Sequence, residues 1–230
     1  MAKTFKVLSA LLSYPTEELQ RAGEDLRAAL REEALLPSTT QDALERLIAD
    51  LAAADLYDLQ EHYVDLFDRS RSLSLYLFEH VHGESRDRGQ AMIDLKSLYE
   101  KHGLLSLSNE LPDFLPLFLE FLSMLTPEEA RKLLGQIDHI TSALGERLHK
   151  RQAPYEVLFQ ALGELAIATK DAQATAVSEL PDEDPNDLAA LDAQWEDEPV
   201  TFGPGATQSC KDQLIAKIRA ARRPVQGAAV

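Results

Sequence analysis

Apolar residues recur at helical spacing through most of the first 165 residues of this chain. Leu44, Leu47, Ile48 and Leu51 occupy positions i, i+3, i+4 and i+7, which lie on one face of an α-helix. Comparable stripes occur in residues 19–30, 56–67, 92–99, 133–148 and 155–165. No segment alternates apolar and polar residues as a half-buried strand does, and the 10 glycines rarely fall in hairpin-type dipeptides. The sequence therefore predicts an all-α fold, a single-domain helical bundle.

Two helix starts can be recognised from capping patterns. Thr126 is followed by Pro127 and, three positions after the threonine, by Glu129. This is the pattern of a capping box with proline at the first helical position. Ser38 and Gln41 form a weaker pattern of the same kind. We expect helices to begin at both places.

The apolar run at residues 7–12 resembles the core of a signal peptide, but it is short and has no small-residue cleavage site before Tyr14. We expect a buried first helix instead. The longest apolar stretch, residues 114–125, contains Glu120 and is too short to span a bilayer. Because Cys210 is the only cysteine, an internal disulfide and a cysteine-rich metal cage are excluded. These features predict a cytoplasmic protein.

Charge is strongly negative and unevenly distributed. The chain has 23 Lys and Arg against 39 Asp and Glu, a net charge of -16, which disfavours binding to nucleic acid or to anionic lipid. Residues 171–198 contain ten acidic residues and no Lys or Arg, whereas residues 211–223 contain five basic residues and one acidic residue. Such a composition cannot bury enough apolar surface to offset chain entropy. We therefore predict a helical domain over 1–170 and a largely disordered, acidic, proline-containing tail over 171–230 with a short basic end.

Two stretches do not fit a simple bundle. Residues 67–89 mix aromatic and charged residues with two histidines, where a loop that only connects helices would be short and polar. Residues 109–122 place large apolar side chains on nearly every side of a predicted helix. Such a helix either lies in the core or lines a groove, and a core position is the more common one.

Histidines in the first stretch could suggest a metal site. His80 and His82 with Glu79 supply suitable ligand types, but on a helix this spacing directs the two rings to opposite faces. No third ligand is suggested nearby, although zinc sites need at least three protein ligands. Hydrogen-bonded structural histidines are the simpler interpretation.

Four carboxylates of the two stretches could serve acid–base catalysis: Glu79, Glu84, Asp87 and Glu110. Nothing in the sequence fixes their separation, and carboxylates are frequent in so acidic a chain. Arg86 and Arg88 are simply interpreted as partners of Glu84 and Asp87. No serine lies in a glycine-rich nucleophile elbow. These observations favour a non-catalytic protein.

Four motifs stand out between residues 63 and 116: YVDLFD at 63–68, LYLFEHVHGE at 75–84, RGQAM at 88–92 and ELPDFLP at 110–116. Together they resemble the respiratory nitrate reductase delta-subunit family, the NarJ-type assembly chaperones. The resemblance covers residues 4–165, and WEDEPV at 195–200 is also similar. More distantly, the chain is similar to the all-α redox-enzyme maturation chaperones that serve molybdoenzymes.

The resemblance implies a system-specific chaperone and not an enzyme. Such a chaperone binds the N-terminal leader-like segment of the nitrate reductase catalytic alpha subunit, keeps the apoenzyme open for insertion of the molybdenum guanine dinucleotide cofactor, and delays membrane docking. It holds no cofactor permanently, is a monomer or weak dimer, and contacts the alpha subunit at the N-terminal peptide and at a second site. The alternatives are a chaperone for another molybdoenzyme or a non-catalytic peptide-binding helical adaptor; an enzyme would require a closed pocket with converging ionisable groups.

For this implied partner we expect a peptide-binding groove between residues 67–89 and 109–122. The predicted apolar contacts are Tyr76, Phe78, Met92, Leu115, Leu119 and Leu122. The predicted acidic rim consists of Glu79, Glu84, Glu110 and Asp113. The motif residues expected to shape the groove are His80, His82, Gly83, Arg88, Gly89, Pro112 and Pro116. The acidic tail is expected either to lie across the groove as a displaceable pseudo-ligand or to contact the reductase separately.

Overall fold

The computed structural model describes residues 2–69, 71–81, 86–104 and 110–167, with residues 86 and 87 described by their backbone only. Within these ranges the chain forms ten α-helices and two short 3-10 helices, and no β-strand. The α-helices are α1 Lys3–Leu11, α2 Glu17–Arg21, α3 Gly23–Glu33, α4 Ser38–Ala53, α5 Leu56–Phe67, α6 Arg86–Lys101, α7 Leu115–Met124, α8 Pro127–Leu134, α9 Asp138–Lys150 and α10 Glu156–Leu165. The 3-10 helices are Arg71–Leu73 and Leu77–Glu79. The all-α prediction is confirmed.

The hydrophobic core is formed by helices that pack in pairs. α1 packs against α7 and α3, α9 packs against α10, and α10 also contacts α4. α1 is buried as expected, with Phe5 and Leu8 fully inside the protein. From α7, which is apolar on nearly every side, the core receives Leu115, Phe118, Leu119, Phe121 and Leu122.

Residues far away in sequence cap the N-terminus of α1. Glu33, the last residue of α3, accepts hydrogen bonds from the backbone N–H groups of Lys3 at 2.5 Å and Thr4 at 2.6 Å. The N–H of Ala2 donates to the carbonyl of Ser123 near the end of α7, at 2.9 Å. The first N–H groups of a helix have no acceptor within the helix. These contacts therefore satisfy α1 and tie it to both of its neighbours.

One of the two predicted capping boxes is present. Thr126 accepts a hydrogen bond from the backbone of Glu129, whose carboxylate accepts from Thr126 in return. Ser38 does not cap α4, so this prediction was wrong. Pro37 occupies the capping position and its carbonyl accepts from the N–H of Gln41 at 2.9 Å, which makes Ser38 the first helical residue.

None of the helices in the described part of the chain is long and apolar enough to cross a membrane. α10 ends at Leu165, just before the predicted domain boundary. The predicted tail, 171–230, lies outside the described residues, so its predicted disorder stays a prediction.

Candidate functional site

The two unusual stretches of the sequence meet in the folded protein. Tyr76 and Phe114 form an isolated antiparallel bridge. On either side of it, the N–H of Leu115 donates to the carbonyl of Leu75 at 2.8 Å and the N–H of Leu77 donates to the carbonyl of Asp113 at 3.0 Å. We refer to residues 71–81 and 110–115 as the paired segments. Their pairing places the predicted site residues of both stretches side by side.

Tyr76 joins the paired segments on a half-exposed surface. Its ring lies 5.3 Å from that of Phe114, and its hydroxyl donates to the exposed carboxylate of Glu110 at 3.0 Å. Burial, followed by this bond to Glu110, raises the pKa of Tyr76 to about 12, so the hydroxyl keeps its proton. Burial also raises the pKa of the Asp68 carboxyl, with a further contribution from the like charge of Glu110. The surface therefore combines an aromatic ring with negative charge.

Asp113 does not belong to an exposed acidic rim, because its side chain is 0% exposed. Its Oδ2 accepts a hydrogen bond from the backbone N–H of Phe78 at 3.1 Å, whereas Oδ1 has no hydrogen-bond partner among the described residues. Burial raises the pKa of this carboxyl, and the bond from Phe78 and the charge of Arg88 oppose that rise. The structure thus gives Asp113 the role of fastening the paired segments from inside.

Glu79 and Arg88 form an ion pair at the edge of the paired segments, with 3.7 Å between Oε1 and Nη2. The side chains are 22% and 24% exposed respectively. The sequence had suggested local partners for Arg88, so its link to the paired segments is a correction. His82, Gly83 and Glu84 and the side chains of Arg86 and Asp87 lie outside the described residues, and their predicted roles stay predictions. Gly89 is exposed at the start of α6.

His80 is buried, and its ring contacts the backbone. Its Nε2 lies 2.8 Å from the carbonyl oxygen of Ser74. Because a carbonyl can only accept, Nε2 carries the proton in this contact. Burial lowers the pKa of His80, as does the nearby charge of Arg147. No three His, Cys, Asp or Glu side chains in the described ranges are grouped so as to hold a metal ion.

The predicted apolar contacts divide into two groups. Tyr76, Phe78 and Met92 are half-buried, so part of each side chain remains accessible. Leu115, Leu119 and Leu122 are 0% exposed. In this conformation these three leucines are core residues that support the paired segments from below, and a ligand could touch them only after the bundle opens. Pro116 is also buried, and Pro112 is half-buried.

Three residues that sequence reasoning did not single out also fix the paired segments. The hydroxyl of Tyr99 donates to the carbonyl of Pro112 at 2.7 Å. Arg147 Nη1 donates to the carbonyl of Ser72 at 2.7 Å, and Arg151 Nη2 donates to its hydroxyl at 3.1 Å. The available signal was the i, i+4 spacing of the two arginines, which places them on one helix face. Nothing in the sequence indicated which segment that face contacts.

A separate apolar groove lies where α1, α3 and α7 meet. It has a volume of about 500 Å³, and its walls include Val7, Ala10, Leu26, Ala29 and Met124. Met124 is 39% exposed. This α1–α3–α7 groove contains none of the residues predicted for the site.

Comparison with known proteins identifies the family. The pattern that defines the family "nitrate reductase delta subunit" matches residues 17–161. The chain belongs to this family. It is 44% identical over 210 residues to the nitrate reductase molybdenum cofactor assembly chaperone NarJ of Escherichia coli (strain K12), covering 91% of this chain and 88% of that protein. The motif-based resemblance is thus confirmed.

Further relatives of the delta-subunit family agree with this result. A Bacillus subtilis (strain 168) protein assigned as a NarJ chaperone is 35% identical over 162 residues, covering 69% of this chain and 85% of that protein. A crystal structure described as that of a redox enzyme maturation protein from Archaeoglobus fulgidus matches with a TM-score of 0.50 and 24% identity, covering 71% of this chain and 92% of that chain. That structure supports the fold alone. Both of these NarJ relatives are named as assembly chaperones, and the prediction of a non-catalytic chaperone family is confirmed.

Proposed function

We propose that this protein is a chaperone of respiratory nitrate reductase. It binds the N-terminal leader-like segment of the catalytic alpha subunit, holds the apoenzyme open for insertion of the molybdenum guanine dinucleotide cofactor, and delays membrane docking. The observation that carries this proposal is the 44% identity, over 91% of the chain, to a chaperone named for molybdenum cofactor assembly in nitrate reductase. The cofactor is the cargo of the client and not a resident group of the chaperone.

The chemistry of the paired segments supports a peptide ligand. Tyr76 and Phe78 expose part of their apolar side chains, and Glu79 and Glu110 place carboxylates beside them. Met92 on α6 is half-buried as well. An amphipathic peptide can lay its apolar face on such a surface. Its basic residues would then face the carboxylates, which contribute mainly to association rate and selectivity.

A small number of apolar contacts is sufficient for micromolar affinity. Burying one Leu or Phe side chain is worth about 1.5–3 kcal/mol, and micromolar binding corresponds to about −8 kcal/mol. A few apolar anchors of the peptide would therefore be enough, even after the entropic cost of ordering it. The buried leucines of α7 would act by keeping the surface in shape.

We also propose that the chaperone domain ends near Lys170. The family match ends at residue 161 and α10 ends at Leu165, while the ten acidic residues of the tail begin at Asp171. The tail is then available for a function of its own, either competition with the peptide or a second contact with the reductase.

Co-purification with the apo alpha subunit tests the proposed function. The full-length chaperone should retain the apo alpha subunit and should retain less of it when the N-terminal segment of that subunit is deleted. An alpha subunit already loaded with cofactor serves as the control and should be retained least. Equal recovery of the intact and shortened apo subunits would contradict recognition of the leader-like segment.

A further inference from the structure

Ser72 is the point at which α9 is fastened to the paired segments. Ser72 is 2% exposed. Its carbonyl accepts a hydrogen bond from Arg147 at 2.7 Å, and its hydroxyl accepts one from Arg151 at 3.1 Å. The two arginines are separated from Ser72 by 75 and 79 positions in sequence. The 3-10 helix Arg71–Leu73 packs against α9 at this point. Two long side chains, from the last turn of α9 and from the residue that follows it, therefore converge on one buried serine.

The segment that contains Ser72 depends on such contacts for its shape. Residues 71–81 contain only two 3-10 helices of three residues each, and short helices of this kind supply few internal hydrogen bonds. A buried carbonyl without a donor is costly, and a charged donor such as a guanidinium forms a stronger bond than a neutral one. The Arg147 bond thus contributes directly to the position of the segment.

We propose that Arg147 in the last turn of α9 and Arg151 directly after α9 are positioning residues of the peptide site: they hold residues 71–81 in the shape that presents Tyr76 and Phe78. The proposal rests on the proposed function for the identity of the ligand. The physical link is short, because Ser72 is two residues before Ser74, whose carbonyl contacts His80. Phe78 is in turn held by Asp113.

The charge of Arg147 acts on the same segment. It helps to lower the pKa of His80, which favours the neutral ring whose Nε2–H faces the carbonyl of Ser74. Removal of the guanidinium is therefore expected to loosen the segment at Ser72 and also to weaken the preference for neutral His80.

Amide hydrogen exchange on the full-length protein tests this inference with a matched control. Arg147→Ala should raise the exchange rates of the Leu77, Phe78 and Leu115 amides by about tenfold or more, since a hydrogen bond to a charged group is lost. Arg147→Lys should restore part of the protection. The control is Arg131→Ala, because Arg131 is also partly buried and donates to a backbone carbonyl, that of Leu165, at 2.8 Å. It should leave the three amides of the paired segments unchanged.

Binding of a synthetic peptide with the N-terminal sequence of the alpha subunit completes the test. Arg147→Ala should weaken peptide binding by about tenfold, whereas Arg131→Ala should not. Unchanged exchange at the three amides in Arg147→Ala, or an equal rise in α1 and α4, would overturn the positioning role. If the wild-type protein does not bind the peptide, the proposed function fails, while the exchange rates still decide whether Arg147 positions the segment.

Discussion

Asp113 carries a carboxyl group that is sealed from solvent at the centre of the paired segments. It accepts a hydrogen bond from Phe78, and burial raises its pKa above the ordinary value of 3.8. The folded protein therefore binds a proton at pH values where the unfolded chain has released it. Because the folded state then holds more protons than the unfolded state, the free energy of unfolding falls as pH rises through this interval.

Replacement of Asp113 by Asn should remove this dependence. Asn keeps an oxygen that can accept from Phe78 but does not titrate. We expect the wild type to lose stability relative to Asp113→Asn as pH rises from 3.8 to the raised pKa of the folded state, and the difference to be constant at higher pH. Urea unfolding of both proteins across this range measures it. A difference that does not vary with pH would show that burial does not perturb this carboxyl.

Leu119 tests whether α7 belongs to the core. Its side chain is 0% exposed, so Leu119→Ala should lower the free energy of unfolding by about 2–5 kcal/mol. Leu111→Ala is the matched control, because Leu111 is 46% exposed and its replacement should cost well under about 1 kcal/mol. Denaturant unfolding compares the two. Similar losses in both variants would contradict the core assignment.

At the scale of the element, helix capping distinguishes two serine/threonine positions that look alike in sequence. Thr126 forms a complete capping box at the start of α8, whereas Ser38 makes no side-chain capping bond at the start of α4. Thr126→Ala should therefore lower the free energy of unfolding by about 1 kcal/mol, and Ser38→Ala should change it by less than about 0.5 kcal/mol. Chemical denaturation monitored by circular dichroism provides both values. A larger loss in Ser38→Ala than in Thr126→Ala would be the contrary result.

Helices were predictable from sequence to a greater extent than the contacts between loops. The stripe at Leu44, Leu47, Ile48 and Leu51 is buried in α4 as its spacing indicated, because helical periodicity is a local property. The bridge between Tyr76 and Phe114 involves a single residue pair, too short to produce an alternating pattern.

The sequence indicated which residues lie near the candidate site, but it did not indicate which of their side chains are buried. The motifs located Tyr76, Glu79 and Glu110 on the paired segments, yet an all-round apolar helix does not reveal which of its faces is covered. For that reason Leu115 could be assigned to the interior only from its packing, and nothing in the sequence indicated that the Asp113 carboxylate is buried. Arg147 and Arg151, at the C-terminal end of α9, were missed because their partner lies in a distant segment.

At the scale of the whole molecule, the net charge of -16 affects how a basic peptide approaches. Negative charge speeds the encounter with a basic ligand, and salt screens that attraction. We expect the association rate of the alpha-subunit peptide to fall as ionic strength rises, with a smaller change in its dissociation rate. Glu110→Gln should make the association rate less dependent on ionic strength, because one attractive charge is removed. Stopped-flow kinetics at several salt concentrations measure these rates, and an association rate independent of salt would exclude steering.

The central claim is that the paired segments bind the N-terminal segment of the alpha subunit. Calorimetric titration of that peptide into the wild type, Tyr76→Ala, Tyr57→Ala and Met124→Ala tests it most directly. Tyr57 is a matched control on α5 that is 80% exposed, and Met124 lines the α1–α3–α7 groove. We predict that Tyr76→Ala raises Kd by about tenfold or more, while the other two variants bind as the wild type does. Wild-type affinity in Tyr76→Ala together with weakened binding in Met124→Ala would contradict the account.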